Sequence, residues 1–244
     1  MSFDCIQCKG NAMIAVLVNC FTIILGSLLG IIFSKKITSR LSEVIQTGAG
    51  VVVLVLGVEM TLQYDNILFL TFSLMAGGII GSIIDIDGKI FKIGQWLGTK
   101  LPQKEEKSTS SFGYGFLNAS VLFCVGAMSI VGSIEAGVNG NYSVIFTKSL
   151  LDGFMAIVFA SSMGVGVVFS FLTVLIYQGA LTLLATVIAS YMDEVLLAEL
   201  TASGGALIIM IAINLLGLKS IKTANYLPAV FLCVLFVLLE RLLF

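Results

Sequence analysis

The charged residues of this chain fall in clusters, and long apolar runs without any charge lie between them. No Asp, Glu, Lys or Arg occurs between Asp152 and Asp193, and none between Lys107 and Glu135. A water-soluble fold of this length needs charge on every surface element, whereas a segment crossing hydrocarbon needs about 20 consecutive apolar residues and excludes charge. Composition agrees. Of 244 residues, 58% are hydrophobic and 11% are charged, against about 25% charged in a typical soluble domain. Mean hydropathy is +1.09. The fold expected is all-α, a polytopic transmembrane helix bundle.

Several function classes fall away at once. The net charge of −1 gives no basic face for nucleic acid. The absence of histidine removes the commonest general base, the Ser-His-Asp constellation and histidine-ligated metal sites. No Walker loop, dinucleotide fingerprint or nucleophile elbow is present. No cofactor is expected, and the chain does not read as an enzyme. Of five cysteines, Cys20, Cys124 and Cys233 sit in apolar runs as small packing residues. Cys5 and Cys8 form a lone CxxC, short of a zinc site without a second pair.

Residues 1–12 read as an N-terminal extension and 13–244 as one transmembrane domain. Apolar segments at roughly 13–33, 47–63, 66–84, 114–134, 144–161, 164–190, 202–217 and 225–243 predict about eight spans. Within 85–112, Ile90, Phe91, Ile93, Trp96 and Leu97 follow a helical period and predict an interfacial helix, with a polar linker over Lys104–Ser111. With eight alternating spans, one face collects Lys35, Lys36, Arg40, Lys89, Lys92, Lys100, Lys104, Lys107, Lys219 and Lys222, while the other holds only Lys9 and Arg241. The positive-inside rule then places that basic face in the cytoplasm and both termini outside.

Two stretches resemble each other. VLVNCFTIILGSLLG with SRLSEVIQTGAGVVVLVLGVEMTL pairs with VLIYQGALTLLATVIA and VLLAELTASGGALIIMIAINLLGL. Helices 1–3 and 6–8 lie five spans apart, so the copies would be inverted. Their connectors carry opposite charge: Lys35, Lys36 and Arg40 against Asp193, Glu194 and Glu199. Inverted repeats are a common transporter design, with the substrate path between them.

Ionisable groups inside a span are costly and point to a cavity or a partner. Lys148 and Asp152 are four apart on one helix face and can pair. Glu59 and Glu135 fall in the same outer half of the bilayer, so all four could converge. Asn19, Asn118, Gln178 and Asn214 are polar residues expected to line such a site or to bridge helices. Gly26-x3-Gly30 and Gly77/Gly78-x2-Gly81 are predicted close-packing faces, and the glycines of the fourth to sixth spans suit interrupted helices.

The block Leu122–Glu135, then Thr147-Lys148 through Asp152-Gly153-Phe154, Phe159–Gly164 and Tyr177-Gln178-Gly179, resembles the DUF554 family. Leu17-Val-Asn19, Gly204-Gly205, Asn214–Gly217 and Asn225–Pro228 extend the resemblance over essentially all of Met13 to Phe244. Ala127 stands where family members often have proline. The resemblance implies a prokaryotic cytoplasmic-membrane protein and puts weight on the Lys148–Asp152 block, without bringing an activity. From the residues themselves, the leading expectation is a secondary transporter or ion-conducting protein for a small ion or charged solute, assembled as a homo-oligomer. A lipid-modifying intramembrane enzyme and a membrane scaffold or sensor using segment 85–112 are the rival expectations.

Overall fold

The computed structural model describes residues 3–34, 39–99, 106–124 and 127–243. The side chains of Cys5, Cys8, Lys35, Lys36, Leu97, Lys100, Lys104 and Lys107 lie outside the described residues. Every regular element among the described residues is helical. They are α1 (Phe3–Ser34), α2 (Ser39–Thr61), α3 (Ile67–Ile84), α4 (Ile86–Thr99), α5 (Glu106–Cys124), α6 (Ala127–Ile134), α7 (Ser143–Met163), α8 (Ser170–Leu183), α9 (Ala185–Ile188), α10 (Glu194–Leu215) and α11 (Leu227–Leu243). A π-turn follows α6 at Glu135–Asn139, and 3₁₀ turns precede α8 and α11.

Eight spans were expected, and the helices give six to seven. Six helices are long and apolar enough to cross a bilayer: Ala12–Ser34, Glu43–Thr61, Ile67–Ile84, Ser143–Val167, Glu194–Leu215 and Thr223–Leu242. The α5–α6 pair makes a seventh if taken as one span bent by 55°. The segment read as a single sixth span, 164–190, is instead a 3₁₀ turn at Gly164–Val167, the 14-residue α8 and the short α9. At 1.5 Å per residue α8 reaches about 21 Å, short of the roughly 30 Å hydrocarbon. Hydropathy registers the apolar run but not the turns within it.

The opposite error occurs at α2 and α10. The stretches Arg40–Gln46 and Glu194–Leu200, read as connectors, are the opening turns of these helices. Asp193 supplies the reason for α10: its side chain accepts the Leu196 N–H at 2.9 Å and caps the helix. Asn66 does the same for α3 through the Leu68 N–H at 3.0 Å. Asp85 ends α3 in the left-handed region at φ 53°, which turns the chain directly into α4.

Glycine sets the tightest crossings and the helix directions. A side chain at Gly26 would strike the Gly153 carbonyl, and one at Gly30 the Ile157 carbonyl. Contacts thus advance together, and α1 runs parallel to α7. Gly57 meets Ile209 and Gly205, whereas Gly50 meets Leu216, so α2 and α10 are antiparallel. Gly77 against Ala229 and Gly81 against Asn225 make α3 and α11 antiparallel as well. Such backbone approach is the general means of joining helices where lipid removes the hydrophobic drive between them.

Burial grades from centre to edge. Within its apolar window α10 is 72% buried, and α3 only 28%. The outer face of α3 shows Leu68, Phe72, Met75, Ile79 and Ile83 in a helical stripe, suited to lipid and to nothing aqueous. Helix α4 lays Phe91 on Tyr114 of α5, with ring centroids 4.8 Å apart, and leaves Ile93 and Trp96 exposed. Lys89, Lys92, Lys219 and Lys222 lie where α3, α7 and α10 end, at the basic end of the bundle.

Candidate functional site

Two cavities occupy one seam. Both are walled by α2, α5 with its continuation, α7 and α10, and they open at opposite ends of the bundle.

The first, of about 260 Å³, lies at the end away from the lysines. Lys148 and Asp152 line it from α7, Glu59 and Gln63 from α2, Ser129 from α6 and Thr201 from α10. Glu59 and Gln63 are exposed at its rim, whereas Lys148 and Asp152 are 5% and 8% exposed. The two are ion-paired across one helical turn through Asp152 Oδ2. Asn19 of α1 donates to the same oxygen at 3.1 Å and to Gln178 Oε1 of α8 at 2.8 Å. Three helices are therefore joined by one buried polar chain. Asp152 Oδ1 has no hydrogen-bond partner among the described residues and belongs to a cavity-lining residue.

Behind the pair the chain of polar groups stays incomplete. Asn19 Oδ1, Gln178 Nε2 and Thr182 Oγ1 are buried without partners among the described residues. A buried amide edge left empty costs about 1–3 kcal/mol.

The second cavity, of about 480 Å³, lies at the basic end. Asn118 of α5 and Asn214 of α10 line it, with Gln46, Asp87, Lys219 and Lys222. Asn214 is structurally committed. Its amide donates to the Ile221 carbonyl at 2.8 Å and accepts the Ile221 N–H at 2.7 Å, which fixes the loop after α10. Asp87 and Asn225 make a reciprocal clasp: Asp87 N–H donates to Asn225 Oδ1 at 2.8 Å, and Ala224 N–H donates to Asp87 Oδ2 at 3.2 Å. Burial pushes the Asp87 carboxyl above the usual range, with the Ala224 N–H opposing that shift.

The eight residues singled out by sequence thus divide. Lys148, Asp152 and Glu59 share a cavity, and Asn19 and Gln178 form the hydrogen-bonded chain behind Asp152. Asn118 and Asn214 lie in the other cavity. Glu135 joins neither: it sits in the π-turn after α6, where its carboxylate accepts from Asn139 at 3.1 Å near the surface. The expected convergence of all four ionisable residues is corrected to three.

Between the cavities the same helices are sealed by Val53, Phe159 and Ile211, each fully buried, with Ala156, Ala119 and Ala212 beside them. Phe159 stacks on Phe123 at a centroid distance of 6.4 Å. From Met155 to Ser162 on α7 the septum spans about 10 Å.

Sequence reasoning missed Glu199. It was counted as a connector charge, yet it is fully buried on α10. Its Oε1 accepts the N–H groups of Asp65 and Asn66, and its Oε2 has no partner among the described residues. The signal was available: the turn Gln63–Asn66 before α3 needs an acceptor for its free N–H groups.

Comparison with known proteins follows the same blocks. The family model described as "Protein of unknown function (DUF554)" matches residues 14–238. The chain is similar to "Uncharacterized membrane protein YdfK" of Bacillus subtilis (strain 168), 34% identical over 222 residues, 89% of this chain and 92% of that protein. It is also similar to "Uncharacterized protein YqgA" of Escherichia coli (strain K12), 26% identical over 221 residues, 90% of this chain and 94% of that protein. No solved structure matches. Ala127, the position where relatives were expected to carry proline, opens α6, and the first helical position is where proline is tolerated. With a family model spanning nearly its whole length, the chain is a multi-pass membrane protein and belongs to the DUF554 family.

Proposed function

We propose that the protein is a secondary transporter or ion-conducting protein for a small ion or charged solute, bound in the cavity lined by Lys148, Asp152 and Glu59. The observation that carries this reading is a buried lysine–aspartate pair that lines a cavity. An intramembrane ion pair needed only for packing gains nothing from a cavity, because desolvation opposes it and apolar residues pack as well. The cavity holds two carboxylates and one ammonium, a balance that favours a cation.

The arrangement around the pair supports alternating access. Two cavities face opposite ends of one four-helix seam, and a thin apolar septum separates them. The antiparallel pairs α2–α10 and α3–α11 are those that an inverted repeat of helices 1–3 and 6–8 would equate, and inverted repeats commonly rock about a central site. In this reading the basic end faces the cytoplasm of a prokaryotic cell, both termini lie outside, and the protein acts as a homo-oligomer without cofactor or catalytic step.

The test is flux in proteoliposomes made with purified protein. Asp152→Asn keeps the shape and the Asn19 contact but removes the charge. Uptake of the transported cation, compared at equal amounts of inserted protein, should fall by roughly ten-fold or more, with thermal unfolding lowered because Lys148 loses its counter-charge. Unchanged flux in Asp152→Asn would remove the site assignment.

A further inference from the structure

The cavity at the basic end has features that packing does not require. Asn118 is 7% exposed on α5, lines the cavity, and its amide has no hydrogen-bond partner among the described residues. An amide so placed inside a helix bundle ordinarily finds a partner across helices. Opposite it stands a loop of fixed shape. Gly217, at φ +68°, turns the chain out of α10, and both hydrogen bonds of Asn214 to Ile221 hold the loop closed. This loop presents Lys219 and Lys222 along the cavity. Lys219 has no acidic partner among the described residues, and Lys222 meets Asp85 only at 3.4 Å, with both side chains more than half exposed.

One carboxylate in the cavity wall, Asp87, stands against these two lysines. Asp87 Oδ2 is engaged by the Ala224 N–H. Gln46 is likewise anchored, donating to the Leu215 carbonyl at 3.0 Å. The lining sets two ammonium groups on a loop held by Asn214, and the Asn118 amide with no partner among the described residues, against the single Asp87 carboxylate. That set matches a compact tetrahedral oxyanion, which accepts several hydrogen bonds at once and prefers charged donors.

We infer that the basic-end cavity is a binding site for a phosphate-type oxyanion, held by Lys219 and Lys222 at its mouth and by Asn118 at its floor. The chemistry is shared by free phosphate and by the headgroup of an anionic lipid. The site uses none of Lys148, Asp152 or Glu59, so its binding test stands whether or not this cavity is one end of a transport path.

The experiment measures thermal unfolding of the full chain in nanodiscs. In phosphatidylcholine discs, inorganic phosphate is titrated against chloride at matched ionic strength; a parallel set contains phosphatidylglycerol. Stabilisation by phosphate in neutral discs supports the site with a free oxyanion as ligand. Stabilisation only by phosphatidylglycerol supports it with a headgroup as ligand. In either case the pair Lys219→Gln and Lys222→Gln should weaken the response by roughly ten-fold or more, and Asn118→Leu should weaken it with the lysines intact. The proposal is overturned if neither phosphate nor phosphatidylglycerol exceeds the chloride control, or if the double lysine variant responds as the parent does.

Discussion

The two cavities are built from the same four helices but hold their charge in opposite ways. Away from the lysines, the charges sit on helix α7, buried and paired across one turn, with α1 and α8 locked to them by amides. At the basic end they sit on a loop, exposed, and only the backbone beneath them is fixed. A charge on a helix inside the bundle is tied to the packing of that helix, so any movement of the pair must move α1, α7 and α8 together. Exposed lysines on a loop can meet a ligand without disturbing the bundle. The first arrangement suits a site coupled to conformational change, the second a site that only binds.

This contrast breaks most sharply at Lys148. Lys148→Met leaves Asp152 buried without its counter-charge and is expected to destabilise the protein by about 3–5 kcal/mol. The double variant Lys148→Met with Asp152→Leu should recover most of that loss, because both desolvated charges are gone. Lys219→Met should change stability by less than about 0.5 kcal/mol. Thermal or denaturant unfolding in detergent measures all three. Equal losses for Lys148→Met and Lys219→Met would erase the distinction between the cavities.

Phe159 tests whether the cavities are two ends of one path. Phe159→Val removes part of a fully buried ring, for roughly 2 kcal/mol of stability, and thins the septum. Passive leak of the transported ion through proteoliposomes should rise, while substitution of the lipid-facing Phe72 should leave leak unchanged. An unaltered leak in Phe159→Val would separate the cavities into unrelated sites.

The sequence made the helices and the buried pair readable because both are local properties. An apolar run predicts a helix, and Lys148 with Asp152 share a face whatever surrounds them. The glycine pattern was equally local: Gly26, Gly30, Gly77 and Gly81 each meet the backbone or Cβ of another helix. Which helix they meet was not readable. Asn19 and Gln178 could be named as polar residues, but their meeting at Asp152 depends on α1 lying between α7 and α8. Asn118 and Asn214 looked equivalent to them in sequence, and only the depth of each along its helix sends them to the other cavity. Glu199 was misread because its role is to accept N–H groups from a loop 133 and 134 residues away. The span count failed for a different reason, since hydropathy averages over the turns that shorten α8.

Asn19 offers a finer test of the buried amide chain. Asn19→Leu removes donors to both Asp152 and Gln178, and interhelical hydrogen bonds in membranes contribute about 0.6 kcal/mol on average, up to about 1.7. A loss near 1 kcal/mol is expected, smaller than at Lys148 because the ion pair survives. The orphaned Gln178 Nε2 and Asn19 Oδ1 predict that ordered water partly compensates. A loss as large as that of Lys148→Met would mean that the amide, rather than the ammonium, holds Asp152 in place.

The smallest effect belongs to Asp193, at the end of the bundle that carries the paired cavity. Its carboxylate accepts the Leu196 N–H and pairs with Arg241, and these contacts, the N–H foremost, hold its pKa below the ordinary carboxylate value. A carboxyl that is more acidic in the folded state contributes stability above its unfolded pKa, and that contribution fades as pH falls through the folded one. Unfolding measured from pH 7 downward should therefore show an acid-side decline that Asp193→Asn reduces. At neutral pH the asparagine still caps α10, so the loss there should be a few tenths of a kcal/mol, against about 1 kcal/mol for Asp193→Ala. Arg241→Gln should cost less than Asp193→Ala, because an exposed ion pair is screened by solvent and the cap remains. If Arg241→Gln instead matched Asp193→Ala, the tie between α10 and α11 would outweigh the cap. The end carrying the paired cavity would then be secured by charge pairing between helices, as the Lys148–Asp152 pair is secured within one.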